Sequence, residues 1–435
     1  MKRIHIPKGY QTPVAPQPQE LPHAGGPPAP RTARQELNGR SRHASPLPAA
    51  AAALAVAAIS GCAVTAQPRT SDAVAPDVTE PILAEQPIDL DAEYLIGPTN
   101  SRDLRYRIDW QTRTSPQANS GIKQVSIQHD SVLVLDGQNF LTRLRREDGT
   151  RLWRIPVAEQ RSEIHGITFL PYLDRIFLST GSDIFILDAD TGSLIRKQRL
   201  GQIASTAPVV FGRFFLYGAR NGQLVWHSFD VGFQWRAFQI SSSIRIPPLI
   251  VDGYVVTVGT DGRIMILDAS SATSLWERQL LNEVIAAPVA GENMVYIAGL
   301  DQYVWAFDLQ TGRSAWRHLS ESPLEDSPVL IGDRLYQQIP AQGLVCFEAR
   351  PIDAPGGKVI WQAPDVPGNV LSRYGDHMVA WDARQRLMTT LDTAGAVIKS
   401  VSLPWVKHLQ VSGLEEGVLL AAADDGRVIR LVPRD

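Results

Sequence analysis

The chain has 435 residues, a formal net charge of −3 at pH 7, 44% hydrophobic residues and two cysteines. The near-neutral balance, with no basic stripe interleaved with aromatics, excludes nucleic acid as a partner. Two cysteines cannot make a disulfide scaffold, so stability must come from a packed core, for which a chain of this length is ample.

In chain order, Met1–Pro48 is rich in Pro, Ala, Gly and Arg and offers little to pack, which predicts a disordered leader. An apolar run, Ala49–Ile59, follows Arg40 and Arg42 and ends in Ser60-Gly61-Cys62. Positive flank, short apolar core and small residues describe an export signal, too short to span a bilayer. Ile59-Ser60-Gly61-Cys62 resembles the lipobox of bacterial lipoproteins. That resemblance implies a diacylglyceryl group on the Cys62 thiol and cleavage before it, with two or three acyl chains giving stable anchoring. Because the run begins so far in, either translation starts further along or the leader is unusually long. No adjacent arginine pair marks the twin-arginine route. Residues 63–103 carry Asp72, Asp77, Glu80, Glu85, Asp89, Asp91, Glu93 and Asp103 against Arg69 and Arg102. An acidic, Pro-containing stretch of this kind predicts a solvated tether. The domain boundaries expected are therefore 1–61 for leader and signal, 62–103 for the tether, and 104–435 for the folded domain.

From Leu104 onward a phrase recurs every 40 residues or so, as in Tyr296–Arg317 and Val256–Arg278. Pro208, Pro248, Pro288 and Pro328 keep identical separations (248−208, 288−248, 328−288), so whole units repeat without insertion. Each unit reads as four short strands rich in Val, Ile, Leu and aromatics. Asn221-Gly222, Asp261-Gly262 and Asp425-Gly426, with Asp301-Gln302 and Gln342-Gly343 at the same place, predict two-residue hairpin turns with positive φ at both centres. A tryptophan slot near the last strand holds Trp153, Trp235, Trp276, Trp316 and Trp361, with Arg196 and Lys399 filling it twice. These make seven outer strands. The C-terminal unit stops before an eighth, while Leu104–Trp110 is an unmatched outer strand at the other end. The fold class is therefore all-β: an eight-bladed propeller of four-stranded antiparallel blades whose last blade is closed by the N-terminal strand. A linear solenoid leaves the two half-blades unexplained.

No chemical motif stands above the repeat. The nine histidines are scattered without metal-ligand spacing, and no phosphate loop or hydrolase elbow occurs. Cys346, within the apolar Leu344–Phe347, reads as a buried inert thiol. Asp188, Asp268, Asp308, Glu348 and Asp392 recur once per unit, which marks a turn or blade-closing hydrogen bond.

The phrase Phe307-Asp308-Leu309-Gln310-Thr311-Gly312-Arg313-Ser314-Ala315-Trp316 resembles the pyrroloquinoline-quinone-type propeller repeat, over nearly all of 104–435. With the lipobox, the chain resembles the BamB-type lipoproteins of outer-membrane β-barrel assembly. That resemblance implies a non-enzymatic scaffold without cofactor or metal, anchored at the periplasmic face of the outer membrane. Its partners would be the barrel-inserting subunit and unfolded outer-membrane proteins, with the chain a monomer within a complex. It also implies that partner contacts come from loops of neighbouring central blades. Here these are Ser241–Pro248 with Arg245 and Asn282–Pro288 with Glu283; the family's second acidic position falls on Ile285. The same repeat occurs in quinone-dependent dehydrogenases, which use a carboxylate base, bound calcium and often adjacent cysteines. This chain has no Cys-Cys pair, and Asp382, Asp424 and Asp425 are turn-like. A third class is a cell-envelope propeller binding peptide or glycan, for which Phe233, Trp305 or Trp405 would serve.

Overall fold

Strands 2 and 3 of each repeat place apolar side chains on both faces, so they are stable only when covered on both sides. The fold supplies that cover. The structure, a computed structural model, describes residues 90–114 and 121–434; Cys62 and the leader lie outside them. The described residues form eight separate four-stranded antiparallel sheets. Seven are sequential blades whose first strands are Ile122–Gln128, Ile164–Leu170, Val209–Phe211, Leu249–Val251, Val289–Gly291, Val329–Ile331 and Asn369–Tyr374. The eighth joins His408–Val411, Leu419–Ala422 and Arg427–Pro433 to Tyr106–Arg113, which pairs antiparallel with the last of these. The eight-bladed propeller closed from the N-terminal side is what the repeat predicts. Its outer strand starts at Tyr106, because Leu104 caps a preceding helix and Arg105 takes a positive φ of 63°.

The core is divided among the interfaces between blades. Val134 and Leu144 of the first blade pack with Leu420 and Val428 of the eighth across the closure. Ile266 and Ile264 of the fourth pack with Ile297 and Phe307 of the fifth. Each outer strand pairs through a bulge and sends one side chain into the next blade. The indole N–H groups of Trp276, Trp316 and Trp361 donate to the carbonyls of Leu309, Ala349 and Thr393 at 2.8, 2.9 and 3.0 Å. Trp153 and Trp110 do the same to Ala189 and Arg146. The ring also fixes the following glycine: a Cβ on Gly312 would stand 2.6 Å from Trp276, at a φ of +67°.

Three sequence expectations need correction. Trp235 is not in the stapling slot. In the third blade the register pairs Trp226 with Arg236, the equivalent of Ile266 with Trp276, so Arg236 lies 40 residues before Trp276 (276−236). Trp235 is the bulge residue, 39% exposed and stacked on Phe214. A slip of one residue reverses the face. The indole for that interface comes instead from the third strand: Trp226 donates to the Ala269 carbonyl at 2.9 Å, beside Arg236 on Ser271. The hairpin turns also differ from the two-residue form. The Gly262 N–H donates to the Gly259 carbonyl and the Gly259 N–H to the Arg263 carbonyl, enclosing three loop residues. Of the predicted Asp-Gly centre only Gly262 has a positive φ. The same bonding recurs at Gly222, Gln302 and Gly426: a turn followed by one left-handed residue. The aspartate faces inward on the loop and accepts the N–H two residues ahead, as Asp261 does from Arg263 at 3.1 Å.

The third correction concerns the tether. Its last part, Leu90–Asp103, is folded: helices α1 (Leu90–Glu93) and α2 (Pro98–Asp103) place Leu95 and Ile96, 5% and 0% exposed, against Val406 and Leu403. Two adjacent apolar side chains with a buried site available outweigh the acidic composition around them. Asp103 pairs with Lys399 at 3.0 Å, so at this interface the lysine slot reaches the N-terminal segment. The once-per-unit acids are turn formers: Asp188, Asp268 and Asp308 accept the N–H of Thr191, Ser271 and Thr311 at 3.0, 2.7 and 2.7 Å. Glu348 is one methylene longer and pairs with Lys358 at 2.6 Å instead.

Candidate partner-binding face

In every blade, the loop from the outer strand to the next blade and the hairpin between strands 2 and 3 emerge on one face. A small anchor pins each of the central loops: Ala204, Ile244, Val284 and Leu324 are 1%, 0%, 2% and 0% exposed. Each loop is also tied to the hairpin of the following blade, with the Thr260 N–H on the Ser243 carbonyl at 2.9 Å and the Leu300 N–H on the Glu283 carbonyl at 3.0 Å. The residue after each anchor is thereby displayed on a rigid base. Arg245, Ile285 and Glu325 are exposed there, whereas the equivalent Ser205 is half-buried, its hydroxyl donating to the Gly218 and Ile244 carbonyls.

Arg245 is exposed, and its guanidinium has no partner among the described residues. Glu283 is half-buried and stands two residues before Ile285, so Arg245 is matched in the repeat by Ile285 and not by Glu283. The two expected residues do share one face, on successive loops. Sequence reasoning missed the apolar contribution: Leu281 and Ile285 are 88% and 47% exposed. Position relative to the buried anchor was the available signal. Across the face, Glu325 pairs with Arg384 of the seventh blade at 2.7 Å.

The hairpin carboxylates are electrostatically distinct. Burial raises Asp261, yet the hydroxyls of Ser241 and Ser242, at 2.7 and 2.8 Å, and the Arg263 N–H and charge hold it below the ordinary range. Asp301, its equivalent in the next blade, is pushed up by burial, only partly offset by the Trp305 indole N–H at 2.9 Å. Of the aromatics named as ligand candidates, Trp305 is thus engaged with Asp301 and stacked on Phe307. Phe233 is 57% exposed at the rim, in the outer strand of the third blade, and Trp405 is 70% exposed on the loop into the eighth. Burial pushes the Cys346 thiol up to about 12, the inert state anticipated for it. Among the described residues, no group of three or more His, Cys, Asp or Glu side chains is placed to hold a metal ion.

The architecture defines a propeller of the pyrroloquinoline-quinone repeat type, with one loop face built for display. The family described as "Outer membrane protein assembly factor BamB" matches residues 210–431, and the chain belongs to that family. It is 18% identical over 329 residues to the BamB of Yersinia pestis, covering 69% of this chain and 82% of that protein. Against the BamB of Moranella endobia it is 23% identical over 225 residues, covering 48% and 57%. The crystal structure of BamB from Moraxella catarrhalis superposes with a TM-score of 0.59 at 19% identity, over 74% of this chain and 97% of that one. The computationally designed protein Ika8 superposes with a TM-score of 0.61 at 14% identity, over 75% and 99%. A designed chain sharing the shape shows that the fold alone carries no function.

Proposed function

We propose that the protein is a non-enzymatic docking scaffold of outer-membrane β-barrel assembly, held at the periplasmic face of the outer membrane by acyl chains on Cys62. Membership of the BamB family supports the assembly role. The observation that carries the docking reading is the juxtaposition, on pinned loops of neighbouring blades, of exposed apolar side chains with a cation that has no partner among the described residues. Arg245 supplies the charge; Leu281 and Ile285 supply the surface to be covered. A central apolar contact with a charge at its margin is the usual anatomy of a protein interface. The partner of this reading is the barrel-inserting subunit, with Glu283 flanking the contact and unfolded outer-membrane proteins passing through the same complex. In this reading the chain between Cys62 and the folded segment at Leu90 links the anchor to the propeller.

Affinity purification from envelopes tests it. The wild-type chain should recover barrel-assembly subunits, and Arg245→Glu with Ile285→Asp should lose them while melting unchanged. Equal recovery by the double variant removes this face from the proposal. Cys62→Ala should move the protein from the membrane fraction to the soluble one; retention in the membrane contradicts the anchor.

A further inference from the structure

At the edge of the loop face, far around the ring from Arg245, the N-terminal helices and the last two blades enclose a cavity of about 770 Å³. Its lining has two parts. One is the indole of Trp405, 70% exposed, which stacks on no other ring and whose N–H has no partner among the described residues. The half-buried Tyr94 lies in the same lining. The other part is polar and carries both signs of charge, Arg386 and Arg427 with Asp91, Asp424 and Asp425. Asp425 pairs with Arg427 at 2.7 Å and Asp424 with Lys407 at 3.4 Å. Arg386 donates to the Pro404 carbonyl, and the Thr99 N–H donates to Asp91 at 2.9 Å. The Asn100 side-chain amide, at the cavity wall, is left without a partner among the described residues.

We propose that this cavity binds a neutral oligosaccharide, with one sugar ring lying on the Trp405 indole and its hydroxyls reaching Asn100 and the paired carboxylates. A ligand with a net charge of either sign meets like charge in this lining, whereas a hydroxyl can donate to the carboxylates and accept from the guanidinium groups. Each carboxylate in a pair keeps free lone pairs, and the Asn100 amide offers both donor and acceptor. The indole provides a flat apolar surface with a polar edge, which suits the C–H face of a pyranose flanked by its own hydroxyls. The cavity is 770 Å³ by volume, within the range of small-molecule sites and large enough for more than one ring. One wall of it belongs to the N-terminal segment, so ligand binding would hold that segment onto the last two blades. The proposal does not rest on the docking reading, since it uses different blades.

The test is a titration of the full chain labelled with 5-fluorotryptophan, followed by fluorine NMR, with the Trp405 resonance assigned from its absence in Trp405→Phe. Maltotetraose, cellotetraose and chitotetraose are the neutral probes, and an unstructured aromatic-containing peptide is the competing class. A saturable shift of the Trp405 resonance with at least one sugar is expected. Asn100→Ala should weaken that binding, and Trp405→Ala should weaken it about tenfold by calorimetry, at unchanged melting temperature. Arg245→Glu should leave it intact, which separates this site from the docking loops. No response to any of the three sugars, or a response to the peptide alone, overturns the proposal.

Discussion

Trp316 shows how one side chain joins two blades. It is 2% exposed, its N–H meets the Ala349 carbonyl, and its ring lies against Phe347 of the next blade. Trp316→Ala removes both packing and a hydrogen bond from a wedge that cannot collapse, and should cost about 3–5 kcal/mol in chemical denaturation. Trp235→Ala, at the exposed bulge position, should cost about 1 kcal/mol, the loss of one ring stack. Equal costs would contradict the register assignment. His227 carries a different consequence. It is fully buried in the third blade, its Nε2 within 3.0 Å of the Gln198 side-chain oxygen, and its Nδ1 has no partner. Burial, and secondarily the Arg196 guanidinium, push its pKa down from 6.5 to about 4. Its folded pKa is depressed, so between those values the unfolded chain binds more protons and stability falls as pH falls. The contribution is complete above pH 6.5 and lost on the way to pH 4. His227→Gln should flatten the melting-temperature profile across that window; an unchanged slope would place the acid sensitivity elsewhere.

At the scale of the element, the closing strand and the N-terminal clasp carry the argument. Tyr106–Arg113 completes the eighth blade, and Trp110 staples that blade to the first through Arg146. Deleting the strand exposes the edge of Arg427–Pro433 and should lower the melting temperature by several degrees at least. Ile96→Asp places a charge where exposure is 0% and should make α1 and α2 accessible to protease; a plain spacer would give no change. Periodicity made the blades and their closure readable, because each blade must bury both faces of strands 2 and 3 at a fixed repeat. Register within an outer strand was harder to read. Trp235 and Arg236 are adjacent, a bulge decides which points inward, and Trp226 on the third strand already fills the space a tryptophan staple would take. Composition hid the clasp, since Leu95 and Ile96 stand among acids and gain meaning only beside Val406 and Leu403. Arg245 was legible as a loop residue, whereas its apolar neighbours Leu281 and Ile285 became visible only once buried and displayed positions could be told apart.

At the scale of the whole molecule, the described residues form a ring whose stability is shared among the interfaces between blades and whose loops of one face are free to vary. The fold is shared with a designed protein, so the fold alone does not set function and the displayed loops must. The central blades show exposed aliphatic side chains and a cation, Arg245, that has no partner among the described residues. The last blades and the clasp show an exposed indole over a polar cavity lined by charges of both signs. The docking claim is tested most directly by a photo-crosslinking amino acid at Ile285 in living cells, compared with the same probe at Ile352, 87% exposed on the opposite face. An adduct with the barrel-inserting subunit from Ile285 and none from Ile352 is the predicted result. Adducts from Ile352 alone, or none from Ile285 in a correctly folded protein, would contradict the account.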